Sequence, residues 1–215
     1  QYKKIKKSGK KFQVKIHTKF KKGYLNYGEL ILPGRSKKEI LISTYICHPS
    51  MANDNLSGVI VTSLLAKHIS SMKNRKFTYR IIFIPETIGA IAYLHQNKRQ
   101  ISNILYGLVV TTTGGKGAFS YKQSFDKYCE INFLIEDVFK NKKIKFKKYK
   151  FEPNGSDERQ FSSQGFKINT CSICKDKYYE YPYYHTSLDN LNFVKPENLF
   201  KSLKLHINLI YEIEK

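Results

Sequence analysis

An α/β three-layer sandwich, with a mostly parallel central sheet and a short strand pair ahead of it, is the fold this sequence predicts. Continuous apolar runs of buried-strand type recur at 40–46, 79–84 and 104–111. Segments with helical periodicity separate and follow them, at 56–72, 88–97, 126–140 and 198–214. Alternation of this kind covers both faces of a sheet with helices.

The elements follow in order. Phe12 to Phe20 alternates apolar and polar residues at the strand period, Lys21-Lys-Gly23 turns, and Tyr24 to Leu32 runs extended to Pro33-Gly34. Two strands without a helix cannot bury a core, so they must pair with the main sheet or with sequence upstream. Ile40-Leu-Ile-Ser-Thr-Tyr-Ile46 is the first buried strand, and Leu64, Leu65 and Ile69 lie on one side of the helix that follows. Tyr79 to Ile84 is a second buried strand and Ile104 to Thr111 a third, with a short helix over 88–97 between them. Lys140 to Lys150 places Ile144, Phe146 and Tyr149 on one face with lysines projecting from the other, as in an edge strand guarded by Lys. Phe166 to Thr170 suits a late strand, and a terminal amphipathic helix closes the chain.

The totals narrow the function classes. At 215 residues the chain can build one main domain. No apolar run approaches the roughly 20 residues of a membrane span, so no membrane partner is expected. Cys47, Cys129, Cys171 and Cys174 are too few and too irregularly spaced for a disulfide framework, which points to a reducing, cytoplasmic setting. Cys171-Ser-Ile-Cys174 has CxxC spacing but lacks the second pair of a zinc ribbon. The net charge of +21 raises nucleic-acid binding as a class. The excess is nearly all Lys, whereas base and phosphate recognition favours Arg forks. A solvated basic surface is therefore the reading adopted, and no nucleic acid is expected. The chain lacks an initiator Met, so either its first residues were removed or it is part of a longer protein.

Chemistry-bearing residues gather in a few phrases. His48-Pro-Ser-Met-Ala-Asn-Asp54 and Tyr184-His185-Thr-Ser-Leu-Asp-Asn190 supply the His and Asp ligands that a hydrolytic zinc site needs. Glu86 follows the second buried strand, and Asp157 lies in Gly155-Ser-Asp-Glu-Arg-Gln160. In open α/β sheets ligands gather outside the carboxyl ends of the strands, where His48 and Glu86 fall. Each residue also has an ordinary explanation. Asp54 sits at the mouth of a helix and could cap it, Asp157 could cap or turn, His185 could be a loop histidine, and Glu86 could pair with a lysine. With His48, the five residues would all have to fall in these places by coincidence.

These phrases, with Asn53-Asp-Asn-Leu-Ser-Gly58 and Ile84-Pro-Glu-Thr-Ile-Gly89, resemble the zinc aminopeptidase-like family of the bacterial leucyl aminopeptidase and glutamate carboxypeptidase type. Within it, the chain is most similar to the bacterial polysaccharide biosynthesis proteins with an aminopeptidase-like domain. The likeness runs from about Gly28 to the C-terminus. It implies a zinc exopeptidase-like α/β domain over 39–215, and reads 1–38 as remnant strands of a small inserted or truncated domain. It also implies one or two zinc ions. His48 and Asp157 would hold the first, Asp54 would bridge, His185 would hold the second, and Glu86 would be the general base.

The chain departs from the family at two places. Thr87 stands where a second Glu would bind the outer ion, and Ser50 where an Asp would orient the first imidazole. A site closed by an unmatched carboxylate such as Glu158 is a further reading. The implied reaction is hydrolysis of a terminal amide in a peptide or an aminoacylated or amide-decorated small molecule. The alternative is a catalytically silent domain that binds a peptide or glycan precursor. Beyond a small amide-containing substrate, the remaining partner left open is a second copy of the chain in a homo-oligomer.

Overall fold

The computed structural model describes residues 2–152 and 154–215. Seven strands form one sheet: β1 (Gly28–Leu32), β2 (Glu39–Tyr45), β3 (Thr78–Ile84), β4 (Ile104–Val110), β5 (Phe119–Lys122), β6 (Phe146–Tyr149) and β7 (Thr170–Cys174). Their spatial order is β1-β3-β2-β4-β7-β5-β6. β3, β2, β4 and β7 run parallel as neighbours, β1 joins antiparallel to β3, β5 antiparallel to β7, and β6 parallel to β5. The helices are α1 (Tyr2–Lys7), α2 (Ser57–Ser71), α3 (Ile88–Gln96), α4 (Glu130–Asn141), α5 (Glu158–Phe161) and α6 (Pro196–Ile213).

The strand period decides which side each residue serves. On one face Ile40, Ile42, Tyr79, Ile81 and Leu108 pack against Val61 and Leu65 of α2, Ile135 of α4 and Leu209 of α6. On the other, Leu41, Ile82 and Val109 pack against Tyr93 and Leu94 of α3 and Phe161 of α5. These are the three layers that the alternation of elements predicts. Because β2, β3, β4 and β7 are parallel, the segments leaving them emerge on one edge of the sheet. No helix among the described residues is long and apolar enough to cross a membrane.

Three local expectations need correction. The strand expected over 12–20 does not form: residues 9–27 hold no helix or strand and are exposed, and only the second of the expected pair adds to the sheet, as β1. An alternating pattern that pairs with no strand gains no ladder hydrogen bonds, and this stretch joins neither edge of the sheet, β1 or β6. The late strand lies over 170–174 and not 166–170; Phe166 and Ile168 serve the second core from the segment before it. β5 is absent from the sequence reading because it ends in Lys122, which is buried with its ammonium 3.1 Å from the Glu158 carboxylate. The edge strand guarded by lysines is present as β6, shorter than its expected range, with Lys147 and Lys148 exposed. Cys171 and Cys174 lie buried inside β7, where desolvation pushes the Cys174 thiol up to about 11 and the Cys171 thiol further still. They behave as core residues.

A buried ion group fastens β1 to the sheet. The Arg80 guanidinium donates to both oxygens of Glu39, to Glu29 on β1 and to the Tyr93 hydroxyl, which itself donates to Glu29. Arg80→Ala strands the buried Glu39 charge, so unfolding free energy should fall by about 3–5 kcal/mol. Urea denaturation reads the difference, and a midpoint equal to wild type would show that the group contributes nothing.

Candidate metal and hydrolytic site

The segments leaving β2, β3 and β7 converge on one patch. After β2 the chain passes Cys47 and His48 and enters a tight turn over Ala52–Leu56 that leads into α2. This turn is built almost wholly from side-chain clamps. The Asp189 carboxylate accepts the backbone N–H groups of Asn53 (2.6 Å) and Asp54 (3.0 Å), and its backbone oxygen accepts the N–H of Ala52. Asn55 donates to Thr44 Oγ1 and to the carbonyl of Tyr45, and accepts from the N–H of Thr112. Asn53 Oδ1 accepts the N–H of Gly114. Gly58 lets α2 approach β4: a Cβ there would lie 2.6 Å from the carbonyl oxygen of Val110 and 2.3 Å from Asn55 Oδ1. Hence the phrase Asn53-Asp-Asn-Leu-Ser-Gly58 is largely structural, with Asp54 as its product.

Asp54 is 1% exposed and does not cap α2. Its Oδ1 accepts the hydroxyl of Tyr45, which also bonds Thr111 Oγ1 at 2.7 Å. Its Oδ2 faces His185, with Nε2 at 3.0 Å, and accepts no hydrogen bond among the described residues. His185 comes from the segment after β7, has φ 53°, and stacks on Tyr184 with ring centroids 4.0 Å apart. The His48 ring lies 5.3 Å from that of His185. His48, Asp54 and His185 each present a ligand atom within 4.8 Å of the others.

Glu86 leaves β3 on the same edge. Ser156 donates its hydroxyl to Glu86 Oε1 at 2.6 Å. Burial raises the carboxyl's pKa, against the opposing pull of the Ser156 hydrogen bond and the His48 charge. Asp157 precedes α5 but does not cap it; Oδ1 instead accepts the N–H of Thr87 at 2.7 Å. Its Oδ2 is buried and accepts no hydrogen bond among the described residues. Burial, with Glu86 and Glu158 nearby, pushes Asp157 up to about 8. Asp157 lies beside Glu86 but outside the 4.8 Å group of His48, Asp54 and His185. Thr87 contributes a backbone N–H and no carboxylate, at φ 62°, a conformation uncommon for a β-branched residue. Glu158 does not close the site. It is fully buried and consumed by Lys122, Ser172, Tyr178 and the N–H of Ser156.

Two buried carboxylate oxygens without a hydrogen bond are unusual in an interior where such groups are paired. His185 Nε2 and Asp54 Oδ2 face each other at 3.0 Å, close enough to bond each other or to share one ion. The donor set of imidazole nitrogen and carboxylate oxygen suits zinc. The residues present therefore fit a divalent cation. Tyr45, Ser156, Tyr181 and Asp189, which hold the set in place, carry no sequence signal of their own beyond proximity to the motifs.

Comparison with known proteins agrees with this architecture. Residues 1–215 match the family described as a domain of unknown function, DUF4910. A Clostridium acetobutylicum protein provisionally named as a polysaccharide biosynthesis protein with an aminopeptidase-like domain is 41% identical over 203 residues, covering 94% of this chain and 46% of its own length. A crystal structure from the same organism, provisionally assigned as a peptidase, superposes with a TM-score of 0.85 at 41% identity, covering 87% of this chain and 44% of that one. The zinc aminopeptidase BSAP from Bacillus subtilis superposes with a TM-score of 0.74 at 17% identity, covering 87% and 49%. The chain spans about half the length of the curated relative it matches. The α/β sandwich is thus the aminopeptidase fold.

Two outcomes follow from the geometry. Asp189→Ala leaves the N–H groups of Asn53 and Asp54 buried without acceptors, which should cost about 1–3 kcal/mol for each donor; wild-type stability by chemical denaturation would refute the clamp. Asp157 has a folded pKa above its unfolded value, so the folded state holds an extra proton between about pH 4 and about pH 8. Its contribution to stability is present at acid pH and is lost as pH rises through that window. With chelator present, wild type should lose stability from pH 5 to 8 more steeply than Asp157→Asn; parallel profiles would contradict the shift.

Proposed function

Because the chain belongs to the DUF4910 family and has an aminopeptidase-like fold, we propose that it is a zinc-dependent hydrolase of terminal amides. The observation that carries this reading is the convergence of His48, Asp54 and His185 beside the Glu86 carboxylate. His48, Asp54 and His185 would hold one ion, with Asp157 outside that group, beside Glu86, its Oδ2 unpaired among the described residues. When bound, zinc supplies Lewis acidity and makes water more acidic. Glu86 takes the proton of the attacking water and passes it to the leaving amine. Ser156, holding Oε1, directs Oε2 to that task. A carboxyl whose pKa is raised by burial is a stronger base than a solvated one and suits this role.

The substrate class is a peptide or an aminoacylated small molecule. The name of the C. acetobutylicum relative adds an amide-decorated sugar. Thr87 favours a second reading, a silent aminopeptidase-like domain that binds a peptide or glycan precursor, because it withholds the carboxylate an outer ion would use. We place the protein in the cytoplasm, on its four unpaired cysteines.

Turnover of aminoacyl amides separates the readings. Glu86→Gln should lower the rate by about 10²–10⁴-fold, the usual worth of a positioned acid–base group. Its zinc content by mass spectrometry should equal wild type, whereas His48→Ala should lose zinc. A Glu86→Gln variant as active as wild type would remove Glu86 from the mechanism, and zinc-loaded wild type that turns over no amide would favour the binding domain.

A further inference from the structure

A second group of ligand atoms shares an imidazole with the first. Cys47, His48 and Glu86 each offer one atom within 4.8 Å of the others. Cys47 Sγ lies 3.2 Å from His48 Nδ1 and accepts the backbone N–H of Glu86 at 3.1 Å. The thiol is exposed and so within reach of an ion from solvent. Asp157, fully buried with Oδ2 unpaired among the described residues, accepts the N–H of Thr87, the chain neighbour of Glu86. A sulfur and an imidazole nitrogen 3.2 Å apart are spaced for one ion with metal–sulfur and metal–nitrogen bonds of about 2.3 and 2.0 Å.

We propose that Cys47, His48 and Glu86 form a second cation position, for thiophilic divalent ions, which competes with the His48–Asp54–His185 position for a single ion. A neutral imidazole has one lone pair and one N–H, so His48 serves one position at a time. Occupying the second position ionises the thiol: the sulfur lone pair bonds the ion and the thiol proton passes to solvent. Thiophilic ions, soft cadmium and borderline zinc and cobalt, gain from thiolate, while manganese and magnesium prefer the oxygen of Asp54. Where the hydrolase reading above holds, an ion in the second position also takes Glu86 as a ligand and so withdraws the base.

The test is optical and independent of turnover. Chelator-stripped full chain is titrated with cobalt(II) to one equivalent, alongside Cys47→Ser. Wild type should develop a near-ultraviolet sulfur-to-cobalt charge-transfer band, and Cys47→Ser should lose it while keeping visible ligand-field bands and a native far-ultraviolet circular dichroism spectrum. Ligand-field bands without charge transfer in wild type overturn the second position and leave the hydrolase reading intact. A charge-transfer band that persists in Cys47→Ser also overturns it, by assigning the sulfur to another cysteine. No cobalt spectrum in either protein overturns both.

Discussion

The carboxylate of Asp189 accepts two consecutive backbone N–H groups, and the geometry of the whole site leans on that clasp. Asn53 and Asp54 sit in a turn too tight to satisfy its own amides, and Asp189 reaches them from across the sequence. The same carboxylate accepts the Tyr181 hydroxyl, which fastens the segment that carries His185. One buried anion therefore fixes the turn after β2 relative to the segment after β7. Hydrogen bonds from N–H to a carboxylate are among the stronger kind, and here they are sheltered from water.

The adjacent carboxylates Asp157 and Glu158 show how finely burial is allotted. Both are excluded from solvent. Glu158 meets an ammonium, two hydroxyls and an amide, and ties β5, β7 and the segment before α5 together. Asp157 receives one amide and keeps an oxygen free. A buried carboxylate that is under-satisfied costs free energy, so the contrast separates a residue held for packing from one held ready for a ligand.

Much of this was legible from the residues, for physical reasons that can be named. β2, β3 and β4 announce themselves because strands covered on both faces must be apolar throughout. β7 is equally buried but built from Thr, Cys, Ser and Ile, so its hydropathy is muted, and β5 is disguised by a lysine whose partner lies 36 residues on. The stretch over 12–20 has the period of a strand but joins neither edge of the sheet, which is a matter of tertiary pairing and not of local pattern. At the site, His48, Asp54 and His185 stand out by type and spacing. Asp189 does not, because its role exists only through contacts 135 and 136 residues away.

The segment over 12–20 has a consequence for how the protein behaves among its own copies. Phe12, Val14, Ile16 and Phe20 stand open to solvent, interleaved with Lys15 and Lys19. An unpaired alternating stretch is a template for intermolecular strand pairing. Its lysines are gatekeepers, whose mutual repulsion weakens as added salt shortens the Debye length from about 10 Å at 0.1 M toward about 3 Å at 1 M. Colloidal stability in this chain is thus bought with charge, and ionic strength sets the distance over which that protection extends.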